Sequence, residues 1–80
     1  MDRPQALELF RVSVADILGV EPAEIVLSRS WDDYEIDSLG LTEIALLLTD
    51  TFEVQLPDVD PEEFETVGQA FELITRALKI

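Results

Sequence analysis

Apolar residues recur along this chain with a period of about 3.6 residues over three stretches, separated by segments where the period is lost. Over residues 4–18, Leu7, Phe10, Val14, Ile17 and Leu18 fall on one face of a predicted helix, with Glu8, Arg11 and Asp16 elsewhere. Asp2 stands where an N-cap belongs, Pro4 suits a first turn, and Gly19 suits a stop. From residue 20 to 36 the helical pattern fades. Pro22-Ala23-Glu24 fits a single turn, while Leu27, Trp31 and Ile36 are spaced too irregularly for one face. They read as plugs that anchor a long loop on the core, and long loops in small domains tend to be functional.

A second helix is predicted from Asp37, a good N-cap, to about Phe52. Leu41, Ile44, Ala45, Leu48 and Phe52 make its inward stripe. Leu39, Leu46 and Leu47 widen the apolar zone beyond one buried face, either because the helix is covered on two sides or because some of these leucines are exposed to partners. After Pro57, the run Asp60-Pro61-Glu62-Glu63 writes the start of a short helix that stops near Thr66. There Thr66-Val67-Gly68-Gln69 forms a capping box for a last helix, which turns Val67, Ala70, Phe71, Ile74 and Leu78 inward and carries Arg76 and Lys79 near its negative end. The expected fold is all-α: a small antiparallel four-helix bundle of three longer helices and one short one, with a long loop between the first and second.

Composition narrows the chemistry. The chain has 80 residues, 18 acids against 5 bases, a net charge of −13, and neither histidine nor cysteine. The length fits one domain, and no disulfide or thiolate metal site helps to hold it. A thiolate nucleophile, a zinc–thiolate site and an imidazole base are all excluded. The only lysine, Lys79, is the penultimate residue, a poor place to tune an amine catalyst. A self-contained enzyme is therefore not expected. The charge argues against nucleic acid or an anionic membrane as direct partner and for basic protein surfaces instead. No signal peptide is visible, and the longest apolar run, Ile44 to Leu48, is too short to span a membrane. The expected location is cytoplasmic and the expected state monomeric.

Of the four serines, Ser13 is mid-helix, and Ser28 and Ser30 suit ordinary turn roles beside Arg29. Ser38 differs, because it directly follows the capping Asp37 at a helix start, where unpaired backbone N–H groups favour an anion. Position alone reads as capping. The setting adds more: Asp37-Ser38-Leu39 at a loop–helix junction, then Gly40-Leu41-Thr42-Glu43-Ile44, then Phe52, Leu56-Pro57 and Thr66-Val67-Gly68 opening the last helix. In this order, and with this acidity, the set resembles the acyl carrier proteins of fatty-acid and polyketide synthesis over nearly the whole chain.

That resemblance implies one acyl-carrier domain over residues 1–80 with no catalytic residue and no metal. Ser38, flanked by Asp37 and Leu39, is implied as the site where a phosphopantetheinyl transferase attaches 4′-phosphopantetheine from coenzyme A. The arm ends in a thiol, so a cysteine-free chain borrows its sulfur. Acyl groups then ride as thioesters to a ketosynthase, an acyltransferase and other pathway enzymes with basic docking patches. The family docks through its second helix, and here Asp37, Glu43 and Asp50 match its acidic positions and Leu39 and Leu46 its apolar ones. Such contacts are salt-sensitive and act more on encounter than on final affinity. Leu41, Ile44, Leu48, Phe71 and Ile74 are implied as lining of an acyl pocket, with ordinary core as the alternative.

Two departures from the family pattern stand out. Glu35 occupies a place two residues before Asp37 where relatives carry glycine, so the local turn is expected to differ, and it adds negative charge beside Ser38. Gly40 stands where an acid is common, as does Thr49, leaving the second helix less acidic than the loop and residues 58–65. Gly40 also weakens the first turns by up to about 1 kcal/mol relative to alanine, which predicts a mobile junction. These departures favour a specialised polyketide or related pathway. The starting methionine and short ends favour a free-standing chain. Peptidyl or aminoacyl carriers share the arm but show a Gly-Gly-His/Asp-Ser run, absent here. An acidic helical docking module without a prosthetic group is the alternative from another class. A nucleic-acid mimic rests on charge alone, and residues 58–61 lack the spacing of a calcium loop.

Overall fold

The computed structural model describes residues 1–55 and 64–80. They form three α-helices: α1 (Arg3–Leu18), α2 (Ser38–Phe52) and α3 (Val67–Leu78). Among the described residues there is no strand, so the all-α expectation holds. Most of the short helix expected near residues 60–65 lies outside the described residues, and so do Leu56 and Pro57.

Each helix starts where its capping chemistry is written. The Asp2 carboxylate accepts from the Gln5 N–H, and the Gln5 side chain accepts from the Asp2 N–H in return. Thr66 and Gln69 repeat that reciprocal pair at the head of α3. Asp37 caps α2 alone, its Oδ1 accepting from the Gly40 N–H at 2.8 Å. Gly19 ends α1 in the left-handed conformation, where a side chain is costly.

α1 packs against both α2 and α3. Phe10 and Phe71 meet at 5.3 Å between ring centres, with the rings tilted, at the middle of the core. Ile44, Leu48 and Phe52 enter it from α2, and Val67, Ala70, Phe71 and Ile74 from α3. One inward assignment fails. Ile17 is 43% exposed, and Ala15 is buried in its place. Over the last turn, α1 makes its contact along Val14, Ala15 and Leu18, because helices packed at an angle meet along a line oblique to a stripe read straight down one face.

The long connection between α1 and α2 is more regular than its sequence period indicates. It contains two 3₁₀ turns, Pro22–Glu24 as expected and Trp31–Tyr34, which the apolar pattern does not show. The second is capped by Ser30, whose hydroxyl accepts from the Asp33 N–H while Asp33 accepts from the Ser30 N–H. The Tyr34 hydroxyl donates to the Glu24 carbonyl at 2.6 Å and accepts from the Val26 N–H at 2.9 Å, tying the two turns together. Of the three expected plugs, Trp31 is fully buried, whereas Leu27 and Ile36 are half-buried; Ile25, not anticipated, is buried.

Backbone contacts fasten this connection to the start of α3. The Gly68 N–H donates to the Leu27 carbonyl, the Val67 N–H to Arg29, and the Trp31 N–H to Glu65, at 2.8, 3.0 and 3.1 Å. Trp31 also stacks on Phe64, with ring centres 5.8 Å apart. Gly68 is required by proximity: a Cβ there would lie 2.9 Å from the Leu27 carbonyl oxygen. The segment leading into α2 is thus held by its own turns and by the α3 start.

Candidate functional site

Ser38 is the first residue of α2, exposed, directly after the N-cap. At such a helix start the leading N–H groups have no partner within the helix. The Gly40 N–H is taken by Asp37, and the Leu41 N–H donates to the Asp37 carbonyl at 2.9 Å. The N–H groups of Ser38 and Leu39 precede any possible intrahelical acceptor. With the positive end of the helix dipole, they suit a phosphodiester on the serine hydroxyl. This terminus therefore fits a phosphate-linked group. The Asp37 carboxylate caps the helix through Oδ1.

Glu35 is where the structure departs most from expectation. It adopts the left-handed conformation, φ 60° and ψ 35°, in the place of the family's glycine. The glutamate takes these angles although they cost it more than they would cost glycine. Its backbone is enforced by bonds from the Glu35 N–H to the Asp32 carbonyl at 2.9 Å and from the Ile36 N–H to the Trp31 carbonyl at 3.2 Å. Gly40 likewise gains a reason: a Cβ there would stand 3.0 Å from Ile36 Cγ2 and 3.4 Å from Asp37 Oδ1. Its lack of a side chain leaves room for the residue that precedes the cap.

The expected docking residues separate into two groups. Leu39, Glu43, Leu46 and Asp50 lie within about 60° of arc on α2, at about 100° per residue, and all are exposed. Leu39 and Leu46 are 69% and 65% exposed, the most of any large apolar residues in the molecule's described part. This stripe is opposite to Ile44, Leu48 and Phe52. Asp37 is off it. The expected acyl-pocket residues are core: Ile44, Leu48, Phe71 and Ile74 are buried together and Leu41 is packed at their edge. A groove of about 690 Å³ runs elsewhere, between the first turn of α1, Leu27 and the start of α3, and only Phe71 of the five lines it.

The signal for the Trp31–Tyr34 turn was available in the capping pair Ser30 and Asp33. The left-handed Glu35 had no local signal, since glutamate rarely adopts it. No group of acids placed to hold a metal ion occurs among the described residues. No helix there is long and apolar enough to cross a membrane.

A small helical domain with an exposed serine at a helix N-terminus can hold a covalently attached phosphate-linked group there. The family model for the phosphopantetheine attachment site matches residues 8–74. An acyl carrier protein of Rubrobacter xylanophilus is 35% identical over 75 residues, covering 92% of this chain and 93% of its own. An acyl carrier protein of Rhodococcus erythropolis is 41% identical over 56 residues, and a meromycolate extension acyl carrier protein of Mycobacterium tuberculosis is 38% identical over 64. These cover 69% and 79% of this chain but 62% and 56% of those proteins, so the chain spans less than two thirds of either. The chain belongs to the phosphopantetheine-binding family as an acyl carrier protein: a carrier and not an enzyme, whose prosthetic group is covalently attached 4′-phosphopantetheine.

Proposed function

We propose that Ser38 carries the 4′-phosphopantetheine arm and that this single carrier domain serves a specialised lipid or polyketide pathway. The observation that carries the reading is the exposed Ser38 at the first position of α2 behind the Asp37 cap. In arm transfer the Ser38 hydroxyl oxygen attacks a phosphorus of the coenzyme A pyrophosphate. A new P–O bond forms at the pantetheine-side phosphorus as its bond to the bridging oxygen breaks, adenosine 3′,5′-bisphosphate leaves, and the serine proton passes to a base of the transferase. The chain has no histidine to act as that base. When bound, the arm supplies a terminal thiol that holds acyl groups as thioesters. A tethered thioester is also presented to a docked enzyme at high effective concentration.

Pathway enzymes would be met by the outer stripe of α2: Leu39 and Leu46 as apolar contacts, Glu43 and Asp50 as charges for basic patches. Support comes from their alignment on one exposed face. The specialised pathway is supported by the similarity to a protein whose name refers to meromycolate extension, and by the sparse acids of α2. A cytoplasmic setting fits a coenzyme A-dependent modification. Sheltering of an acyl chain among Leu41, Ile44, Leu48, Phe71 and Ile74 would require α2 and α3 to part, because these side chains now fill the core.

Intact-mass measurement after incubation with coenzyme A and a broad-range phosphopantetheinyl transferase tests the assignment. Wild type gains one arm and Ser38→Ala gains none. An arm on Ser38→Ala, or none on wild type with several transferases, defeats it. Loading with malonyl, acyl and aminoacyl donors then separates this reading from an aminoacyl carrier.

A further inference from the structure

We infer that Glu35 is a specificity-determining residue for modification of Ser38, its carboxylate serving as the contact for a basic side chain of the enzyme that loads the arm. The inference rests on the assignment of Ser38 above. It begins from the charges that flank the serine. On the helix side, position 40 is a glycine, where a Cβ would crowd Ile36 Cγ2 at 3.0 Å, and the next acid is Glu43, more than a turn along α2. On the loop side, Asp37 is engaged as the cap and Asp33 binds the Ser30 N–H. Glu35 is exposed, and its carboxylate has no hydrogen bond or ion pair among the described residues. It is the nearest carboxylate along the chain to Ser38 that accepts no hydrogen bond among the described residues.

The fold has no evident use for a glutamate there. The left-handed turn is held by backbone bonds to Asp32 and Trp31, which a glycine would make equally well and with less strain. With glycine at position 40, Glu35 places negative charge before the serine instead of after it. Glu53 supplies an internal control. It is the same residue in the same conformation, φ 52°, at the other end of α2, about 22 Å away by helix rise.

The test compares steady-state arm transfer from coenzyme A to wild type, Glu35→Gln, Glu35→Asp, Glu35→Gly and Glu53→Gln, at low and high salt, with melting temperatures alongside. Glu35→Gln is expected to raise KM about two- to fivefold with kcat unchanged, the size of one exposed ion pair. The difference should shrink at high salt. Glu35→Gly should show the same KM defect while melting higher than wild type. Glu35→Asp should recover most of the wild-type KM, and Glu53→Gln should match wild type. A wild-type KM for Glu35→Gln overturns the proposal, as does an equal defect in Glu53→Gln, which would mean that only total charge matters. If wild type itself accepts no arm, the Ser38 assignment fails first, whereas normal loading of Glu35→Gln defeats only the role of Glu35.

Discussion

The approach to α2 and the outer face of α2 are adjacent in the chain and are built on opposite terms. Between Leu27 and Trp31 the backbone is bonded to the start of α3, one glycine is pressed against a carbonyl, and Trp31 is sealed beneath Phe64. A few residues later, Leu39 and Leu46 stand about two-thirds exposed with nothing described against them. The first region has contacts fixed at each step, and the second has chemistry without internal partners. A carrier needs both properties. Its serine must be held at a defined helix start, and the surface beside it must stay free for different enzymes in turn. Separating stability from recognition lets one change without the other.

That separation can be broken experimentally, most severely in the core. Leu48 is fully buried on the inward face of α2, so Leu48→Ala should cost about 2–5 kcal/mol of unfolding free energy in a denaturant titration. In a domain of this size, whose total is about 5–15 kcal/mol at most, that removes much of the margin. Arm addition to the fraction still folded should continue. A loss below about 1 kcal/mol would mean that α2 does not depend on this face. Gly68→Ala tests the fastening itself. The new methyl would meet the Leu27 carbonyl at 2.9 Å, and overpacking of this kind costs about 1–3 kcal/mol. Thermal melting should fall by roughly 4–8 °C per kcal/mol for a domain of this length. An unchanged melting temperature would show that the loop moves away without penalty. The smallest effect on folding is expected on the outer stripe. Leu46→Ala should alter stability by no more than about 0.5 kcal/mol while weakening transfer of acyl groups to or from partner enzymes. If it instead destabilises the fold like Leu48→Ala, the stripe is structural and the comparison fails.

Much of the architecture was legible because the instructions for a helix are local. Asp2 with Gln5, Asp37 with Gly40 and Thr66 with Gln69 fix starts through side chains three residues apart, and Gly19 marks a stop. The alternation of Ile44, Leu48 and Phe52 against Leu39, Glu43, Leu46 and Asp50 already divides α2 into an inner and an outer face. The candidate serine was legible for the same reason. Errors occur where one residue's fate depends on distant ones. Ile17 lies on the correct side of α1 but loses its cover where the contact line between helices turns toward Ala15. Glu35 takes left-handed angles that its residue type disfavours, in a turn closed by backbone bonds to Asp32 and Trp31.

By itself, then, the sequence determined three helices with their caps, the two-sided nature of α2, the acidic charge, the lack of any thiol or imidazole, and Ser38 at a helix start. Those properties follow from residue type and spacing within a turn or two. Only the tertiary structure decided that the loop is fastened to α3 through Leu27, Arg29 and Trp31, that Gly68 is there for want of space, and that Gly40 makes room for Ile36. It alone decided that Glu35 adopts a left-handed backbone three residues before the serine, with no hydrogen bond to its carboxylate among the described residues. The physical reason is range: capping and periodicity act over a few residues, whereas close approach and imposed backbone strain require segments brought together from far apart in the chain.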